Sequence, residues 1–220
     1  MNQVGFIVFS CLFMLTRAQA ESINCTQPIN KEQRTVSCGT ARVQADIPLD
    51  EKKSLAATYP DSTILSGDLD HDGINDFVVG IPTKTDYGMG EKVIVLKGKH
   101  GKGYENFAMS SDIEGFSDIE IKNQSFYILV DHNSLVNTHR VTYQFKYRSD
   151  GIYLIGEEEY SALPGNDAWE LLFRISTNYL TGDIIKYERT DNQKIIKTKS
   201  RLEKDKLRLL RFEDFKEYSK

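Results

Sequence analysis

Short runs in which apolar and polar residues alternate recur along most of the chain and predict β-strands. The clearest lies at Val141 to Arg148, where the run is followed by a turn signal at Ser149-Asp150-Gly151 and a returning run from Ile152 to Glu159. This arrangement is typical of a β-hairpin. The same pattern predicts further strands at Thr40 to Ala45, Ile119 to Lys122, Phe126 to Asp131, Trp169 to Thr177, Asp183 to Arg189, Lys194 to Lys199 and Leu207 to Phe212.

Two other runs are apolar throughout. They are Phe77 to Ile81 and Val93 to Leu96. The run from Val93 to Leu96 is of the kind expected in a buried strand. We therefore expect these two strands to pair with each other, and we expect the segment between them, Thr83 to Glu91, to be a loop.

One segment carries the signals of a short helix. It would begin near Pro48 with Asp50 as its cap, bury Leu55-Ala56-Ala57, and end before Pro60. Many closely spaced strands with a single short helix predict a mainly β fold. We expect antiparallel sheets arranged as a sandwich, an open barrel or a partial propeller-like structure.

The beginning of the chain resembles an export signal. Val4 to Leu15 is almost wholly apolar, and Ala18-Gln19-Ala20 provides a small-x-small cleavage pattern. The apolar run is too short to be a membrane span. We therefore predict a signal peptide at residues 1–20 and a single β-rich domain at residues 21–220, without a transmembrane segment, in a periplasmic or secreted protein.

Two cysteines, Cys25 and Cys38, remain after the predicted signal peptide. In a chain bound for an oxidising compartment they are expected to form a disulfide. No histidine or further cysteine lies near them in the sequence, which argues against a zinc site. The disulfide would tie down the N-terminal arm of the domain.

The segment from Ser66 to Ile81 combines an acidic turn with an apolar strand. Four carboxylates within nine residues repel one another unless a cation lies between them, and hard oxygen ligands in a flexible loop suit Ca²⁺. Gly73 would allow the bend that turns the carbonyl of Ile74 inward. The predicted metal ligands are Asp68, Asp70, Asp72, Ile74 and Asp76.

The flanks of this loop distinguish it from an EF-hand. The twelfth position counted from Asp68 is Val79 rather than Glu, and the flanking residues favour strands over helices. The string Gly-Asp-x-Asp-x-Asp-Gly-x-x-Asp-Phe-Val-Val-Gly resembles the FG-GAP or VCBS-type calcium repeat found in integrin-like propellers, in one copy at about residues 62–82. The resemblance implies Ca²⁺ bound by the four aspartates and the Ile74 carbonyl. The alternative is an acidic turn without a metal.

Charge and motifs restrict the function less sharply. From Lys186 to Lys220 there are twelve Lys or Arg against seven Asp or Glu, in a chain of net charge −4. A basic segment of this kind is expected of a solvated edge strand guarded by lysines, or of a surface that meets an anion. The sequence contains none of the nucleophile-elbow, zinc-protease or phosphate-loop motifs.

These observations favour a non-enzymatic, exported calcium-binding protein that serves as a binding or interaction module. Its partner would be a protein or a glycan, and no nucleic acid is expected. Two alternatives remain open at this point: a periplasmic inhibitor or immunity protein, and a hydrolase whose catalytic residues are dispersed among loops. A cleft lined by several titratable groups would support the hydrolase.

Overall fold

The computed structural model describes residues 20, 22–28, 34–85, 88–101, 103–132, 137–148, 150–164, 169–203, 207 and 209–215. The predicted signal peptide, apart from Ala20, lies outside these residues. The described helix is α1, Leu49–Thr58. The strands are β1 Thr35–Cys38, β2 Ala41–Gln44, β3 Thr63–Gly67, β4 Asp76–Thr85, β5 Gly88–Gly98, β6 Tyr104–Glu114, β7 Phe116–Lys122, β8 Ser125–Asp131, β9 Thr138–Arg148, β10 Gly151–Pro164, β11 Trp169–Asn178, β12 Asp183–Arg189 and β13 Ile195–Arg201.

The strands form two sheets, and the fold is mainly β, as predicted. The smaller sheet has the order β1-β2-β3-β4-β5-β6, and the larger sheet has the order β13-β12-β11-β10-β9-β8-β7. Nearly all neighbours are antiparallel, and among the described residues neither sheet closes into a barrel. Of the three predicted architectures, the structure agrees with the sandwich.

The smaller sheet is covered on both faces. One face packs against α1 through a cluster that includes Leu55, Ile64 and Val79. The other face packs against the larger sheet through a second cluster, in which Val78 and Val95 meet Phe126 and other residues of β8 to β10. This double burial explains why β4 and β5 read as continuous apolar runs.

The larger sheet contributes an alternating inner face to the second cluster. Tyr143 and Phe145 of β9 are buried there. The core is completed by Phe212 and Phe215, whose rings both lie about 5.1 Å from the ring of Phe145. Phe212 begins a short 3₁₀ helix, Phe212–Asp214.

Three local predictions were wrong. β4 continues to Thr85 and β5 begins at Gly88, so the predicted loop at Thr83 to Glu91 is mostly a strand pair. Helix α1 begins at Leu49 without a side-chain cap, so Asp50 does not cap it. The described residues of Leu207 to Phe212 form no strand. Instead, Phe212 and the nearby Phe215 fill the end of the core.

A further difference concerns strand direction. β2 and β3 pair in parallel, whereas the sequence predicted antiparallel sheets throughout. The reason is α1, which connects these two strands and returns the chain to the same end of the sheet.

The N-terminal arm is attached to β1 by the predicted disulfide between Cys25 and Cys38. Two backbone hydrogen bonds flank it, from the Thr26 N–H to the Ser37 oxygen at 2.8 Å and from the Gly39 N–H to the Asn24 oxygen at 3.0 Å. The arm therefore lies beside an edge strand that would otherwise be open.

Candidate metal centre

The acidic loop connects β3 to β4, as the sequence predicted for a strand-borne loop. Both flanking strands belong to the doubly covered sheet, and Gly67 and Asp76 are paired across its base. His71 and Gly73 adopt left-handed backbone conformations, with φ of 68° and 82°. Gly73 therefore lies at a bend of the loop, as predicted, in a backbone conformation that glycine adopts readily.

Three of the predicted ligands come together. Asp68, Asp70 and Asp76 each offer a carboxylate oxygen, and these oxygens lie within 4.8 Å of one another. The side chain of Asp70 is only 5% exposed. Three anionic oxygens converging this closely in a partly buried place are a donor set that a hard cation such as Ca²⁺ would satisfy.

Asp76 is the most deeply placed member of the group, with a residue exposure of 3%. Its Oδ2 accepts the Leu69 N–H at 3.0 Å and its Oδ1 accepts the Gly98 N–H at 3.0 Å. The pKa of Asp76 lies above its ordinary value, chiefly because burial disfavours the charged form, and the nearby charges of Asp70 and Asp72 add to this effect. A cation at this position would offset that penalty.

The exposed side of the loop is organised by its own side chains. Asp68 accepts the N–H groups of His71 and Gly73 at 2.8 and 3.1 Å, and Asp72 accepts that of Ile74 at 2.8 Å. Asp72 is exposed and does not belong to the close group of carboxylates. These contacts are also those of an ordinary Asp-rich turn. The roles of Asp72 and of the Ile74 carbonyl as ligands stay predictions.

Lys97 was not among the predicted site residues, but the structure places it at the site. Its Nζ is hydrogen-bonded to Asp70 Oδ2 and lies 5.3 Å from the ring centre of Tyr147 in the larger sheet. The pKa of Lys97 is raised, first by this hydrogen bond. An ammonium group thus neutralises part of the carboxylate cluster and bridges the two sheets. Only the pairing of β4 with β5 could have revealed it, because Asp70 and Lys97 are distant in sequence.

Gly98 shows how closely β5 approaches the loop. A Cβ atom on Gly98 would lie 2.3 Å from the backbone oxygen of Asn75 and 2.7 Å from Cγ2 of Ile74. Both contacts are too short for any side chain. The glycine therefore permits the approach that lets its own N–H reach Asp76.

A second group of polar residues, which was not predicted from the sequence, lies at a cleft of about 1110 Å³ beside β2, β3 and β7. Arg42 and Asp118 line it and approach each other to 3.8 Å. Nearby, the Oε2 atom of Glu91 is buried without a hydrogen-bond partner among the described residues. The pKa of Glu91 is raised to about 7, chiefly by burial, with Arg42 opposing and Asp118 reinforcing the shift.

The histidines and neighbouring acids do not form a triad among the described residues. His139 Nε2 lies 2.9 Å from Glu159, and the rings of His132 and His139 lie 5.7 Å apart. Asp131, which precedes His132, is bound by Arg140 at 2.6 and 2.9 Å.

Comparisons with known proteins add no family. No family model, curated protein or solved structure matches this chain. Within the described residues, no helix has both the length and the apolar character needed to cross a membrane.

Proposed function

We propose that this protein is an exported, calcium-binding β-sandwich module that acts by binding a protein or glycan partner rather than by catalysis. The observation that supports it is the convergence of three carboxylates, from Asp68, Asp70 and Asp76, within 4.8 Å at the base of a strand-borne loop. The Cys25–Cys38 disulfide supports export, because such bonds persist in oxidising compartments.

The donor set favours Ca²⁺ over Mg²⁺. Ca²⁺ accepts an irregular shell of six to eight oxygens, whereas Mg²⁺ requires a near-ideal octahedron. Asp68 lies in a partly exposed loop, which leaves room for water and for backbone oxygens to complete an irregular shell. Each Asp76 oxygen already accepts one N–H, and a carboxylate oxygen retains a further lone pair for a metal.

The cation would act as a structural link in this proposal. It would tie the exposed turn at Asp68 to Asp76, the first residue of β4, and thereby hold the entry to a strand that is buried on both faces. Lys97 would compete with it, because the ammonium and the metal both require Asp70. We therefore expect weak binding, in the range of extracellular calcium modules, about 10⁻⁴–10⁻³ M.

Calorimetric titration of the purified protein with CaCl₂ tests the proposal. We expect one site, an affinity loss of at least about tenfold for Asp70→Ala, which removes a carboxylate ligand, and a gain of about fivefold for Lys97→Met, which removes the competing charge. Lys99→Met is the matched control, because Lys99 follows on the same segment but pairs with Glu105.

Two results would refute the proposal. One is the absence of any binding heat with wild type and Lys97→Met at millimolar Ca²⁺. The other is equal affinity in wild type and Asp70→Ala.

The cleft beside Glu91 supports a second candidate function, that of a hydrolase. A buried carboxyl group with a pKa near 7 is suited to act as a general acid, and Arg42 and Asp118 would position a polar substrate in the adjacent cleft. An activity found in the wild type and lost in Glu91→Gln, with Glu105→Gln as control, would support this candidate over a pure binding module.

A further inference from the structure

The outer face of the larger sheet, the face turned away from the smaller sheet, carries a regular row of side chains across five strands. Residues directly opposite each other in neighbouring antiparallel strands share a face. The strand register therefore aligns, from β9 to β13, the residues Arg140, Tyr160, Arg174, Tyr187 and Lys197. We call these five residues the cation–tyrosine row.

The row alternates in chemistry as well as in position. Neighbouring strands lie about 4.8 Å apart, so successive cations, and likewise the two tyrosines, recur at about 9–10 Å across the sheet. Lys197 Nζ lies 5.2 Å from the ring centre of Tyr187. The pKa of Tyr187 is lowered, first by a hydrogen bond from Lys197 and further by the charges of Lys197, Arg174 and Lys199.

The next row on the same face adds a further cation. It consists of Thr142, Glu158, Ser176, Ile185 and Lys199. None of the ten residues in the two rows is buried. Together they carry four cations and one carboxylate, in a chain whose net charge is −4.

The opposite face of the same strands has the reverse balance. The rows directly behind contain the carboxylates of Glu159 and Glu188 and the single ammonium of Lys186. Charge is thus segregated between the two faces of β10 to β13. Lysines that guard an edge strand against aggregation explain Lys197 and Lys199. They do not explain the arginines and tyrosines on β9 to β12, the four strands inside the edge.

We propose that this outer face binds an acidic polysaccharide, whose sugar rings stack on the two tyrosines of the cation–tyrosine row and whose carboxylate or sulfate groups bind its three cations. Tyrosine presents an apolar ring with a polar end, which suits the mixed surface of a sugar. A polymer with an anion on every second sugar would repeat its charge at a spacing comparable to that of the cations.

The acids within the face favour a glycan over a nucleic acid. Asp131 accepts two hydrogen bonds from Arg140, and Glu158 accepts one from Arg174 at 2.5 Å. A nucleic acid, with a phosphate at every nucleotide, would bring more negative charge against these carboxylates than a polymer with an anion on every second sugar. The carboxylates would accept hydrogen bonds from sugar hydroxyl groups while the arginines donate to others. The disulfide also indicates an oxidising compartment, in which nucleic acid is an uncommon partner.

The test is the binding of the full chain to a hyaluronan decasaccharide, which carries one carboxylate on every second sugar. The titration is made in EDTA and again in 1 mM Ca²⁺, because the face is separate from the metal loop and its binding does not require the metal. We expect Tyr187→Ala to weaken binding about three- to tenfold. Lys197→Ala with Lys199→Ala should weaken it by a similar factor and reduce its salt dependence.

Lys186→Ala is the matched control, since Lys186 is adjacent to Tyr187 on β12 but lies on the opposite face. We expect its affinity to stay within about twofold of wild type, a change that corresponds to less than about 0.5 kcal/mol. The double lysine variant lies on an exposed edge strand and should fold normally.

Three results would overturn the proposal. The first is the absence of hyaluronan binding by the wild type, or equal binding of a neutral dextran. The second is an equal loss in Lys186→Ala and in the row variants. The third is tighter binding of a single-stranded DNA 20-mer than of hyaluronan, which would assign the face to nucleic acid instead.

Discussion

Two pairs of adjacent strands, β4 with β5 and β12 with β13, are both joined by backbone hydrogen bonds but differ in how deeply they are buried. Five consecutive residues of β4 and four consecutive residues of β5 are buried, because α1 covers one face and the larger sheet covers the other. In β13, all seven residues are exposed, and β12 has no buried residue. The apolar content of a strand therefore reports how many layers cover it rather than whether a strand forms.

The difference also divides the candidate functions. The acidic loop sits where β3 and β4 enter the doubly covered sheet, so its geometry is fixed by the core. The cation–tyrosine row begins on β9 and β10, whose inner faces belong to the core, and continues onto β12 and β13, which have no buried residue. A metal site needs the first kind of support, because its ligands must be held in place, whereas a surface for a long polymer needs a broad exposed face.

The largest effect expected from this contrast is on core stability. Leu96→Ala in β5 removes a fully buried side chain and should lower the free energy of unfolding by about 2–5 kcal/mol. Ile196→Ala in β13 truncates a side chain that is 50% exposed and should change it by less than about 0.5 kcal/mol. Urea unfolding followed by circular dichroism measures both.

A comparable loss in the two variants would contradict the contrast. It would mean that β13 is covered by another layer in solution, either a second copy of the chain or a partner. Repeating the measurement over a tenfold range of protein concentration separates these cases from a monomer.

A smaller effect is expected at Glu91 in β5, a partly buried residue whose Oε2 atom is fully buried. Its pKa in the folded protein is about 7, against an ordinary value of 4.5. Below pH 4.5 the side chain is protonated in both states and costs nothing. Between pH 4.5 and 7 the unfolded chain ionises first, so Glu91 lowers stability as the pH rises, and the cost is complete above pH 7.

Glu91→Gln removes this dependence. Allowing for solvent around a side chain that is only partly buried, we expect the variant to be more stable than wild type by about 1–2 kcal/mol at pH 8 and equal to it near pH 4. Thermal unfolding across pH 4–8 measures the difference. A constant difference across that range, or one that Glu105→Gln reproduces, would show that Glu91 is not buried as the structure has it.

The fold was largely predictable because its signals are local. Alternation marked the strands of the larger sheet, and the continuous apolar run from Val93 to Leu96 correctly indicated a buried strand. Cys25 and Cys38 were the only cysteines left to pair in the predicted mature chain. The parallel pairing of β2 with β3 was missed, because strand direction depends on which way α1 returns the chain. The role of Phe212 in the core was missed, because this residue lies in a short 3₁₀ segment rather than in a strand, so no alternation of apolar and polar residues marks it as buried.

The candidate site was predictable only in part, for a related reason. Asp68, Asp70 and Asp76 lie close together in the sequence, and their spacing is enough to predict that they form one acidic cluster. Lys97 approaches Asp70 only because β4 and β5 pair in a particular register. The cation–tyrosine row depends on the registers of four successive strand pairs, and a shift of one residue in any of them would move one or two of its five residues to the other face.

The central claim, that a calcium ion links the acidic loop to the core, is tested most directly by thermal unfolding of the purified protein in EDTA and in 2 mM Ca²⁺. At affinities typical of extracellular modules, the ion should raise the free energy of unfolding by roughly 0.5–1.5 kcal/mol and the melting temperature by a few degrees. Asp70→Ala should lose this increase, whereas Asp191→Ala, in the turn between β12 and β13, should keep it. Wild-type curves that coincide in the two buffers would contradict the claim and leave the loop as an acidic turn.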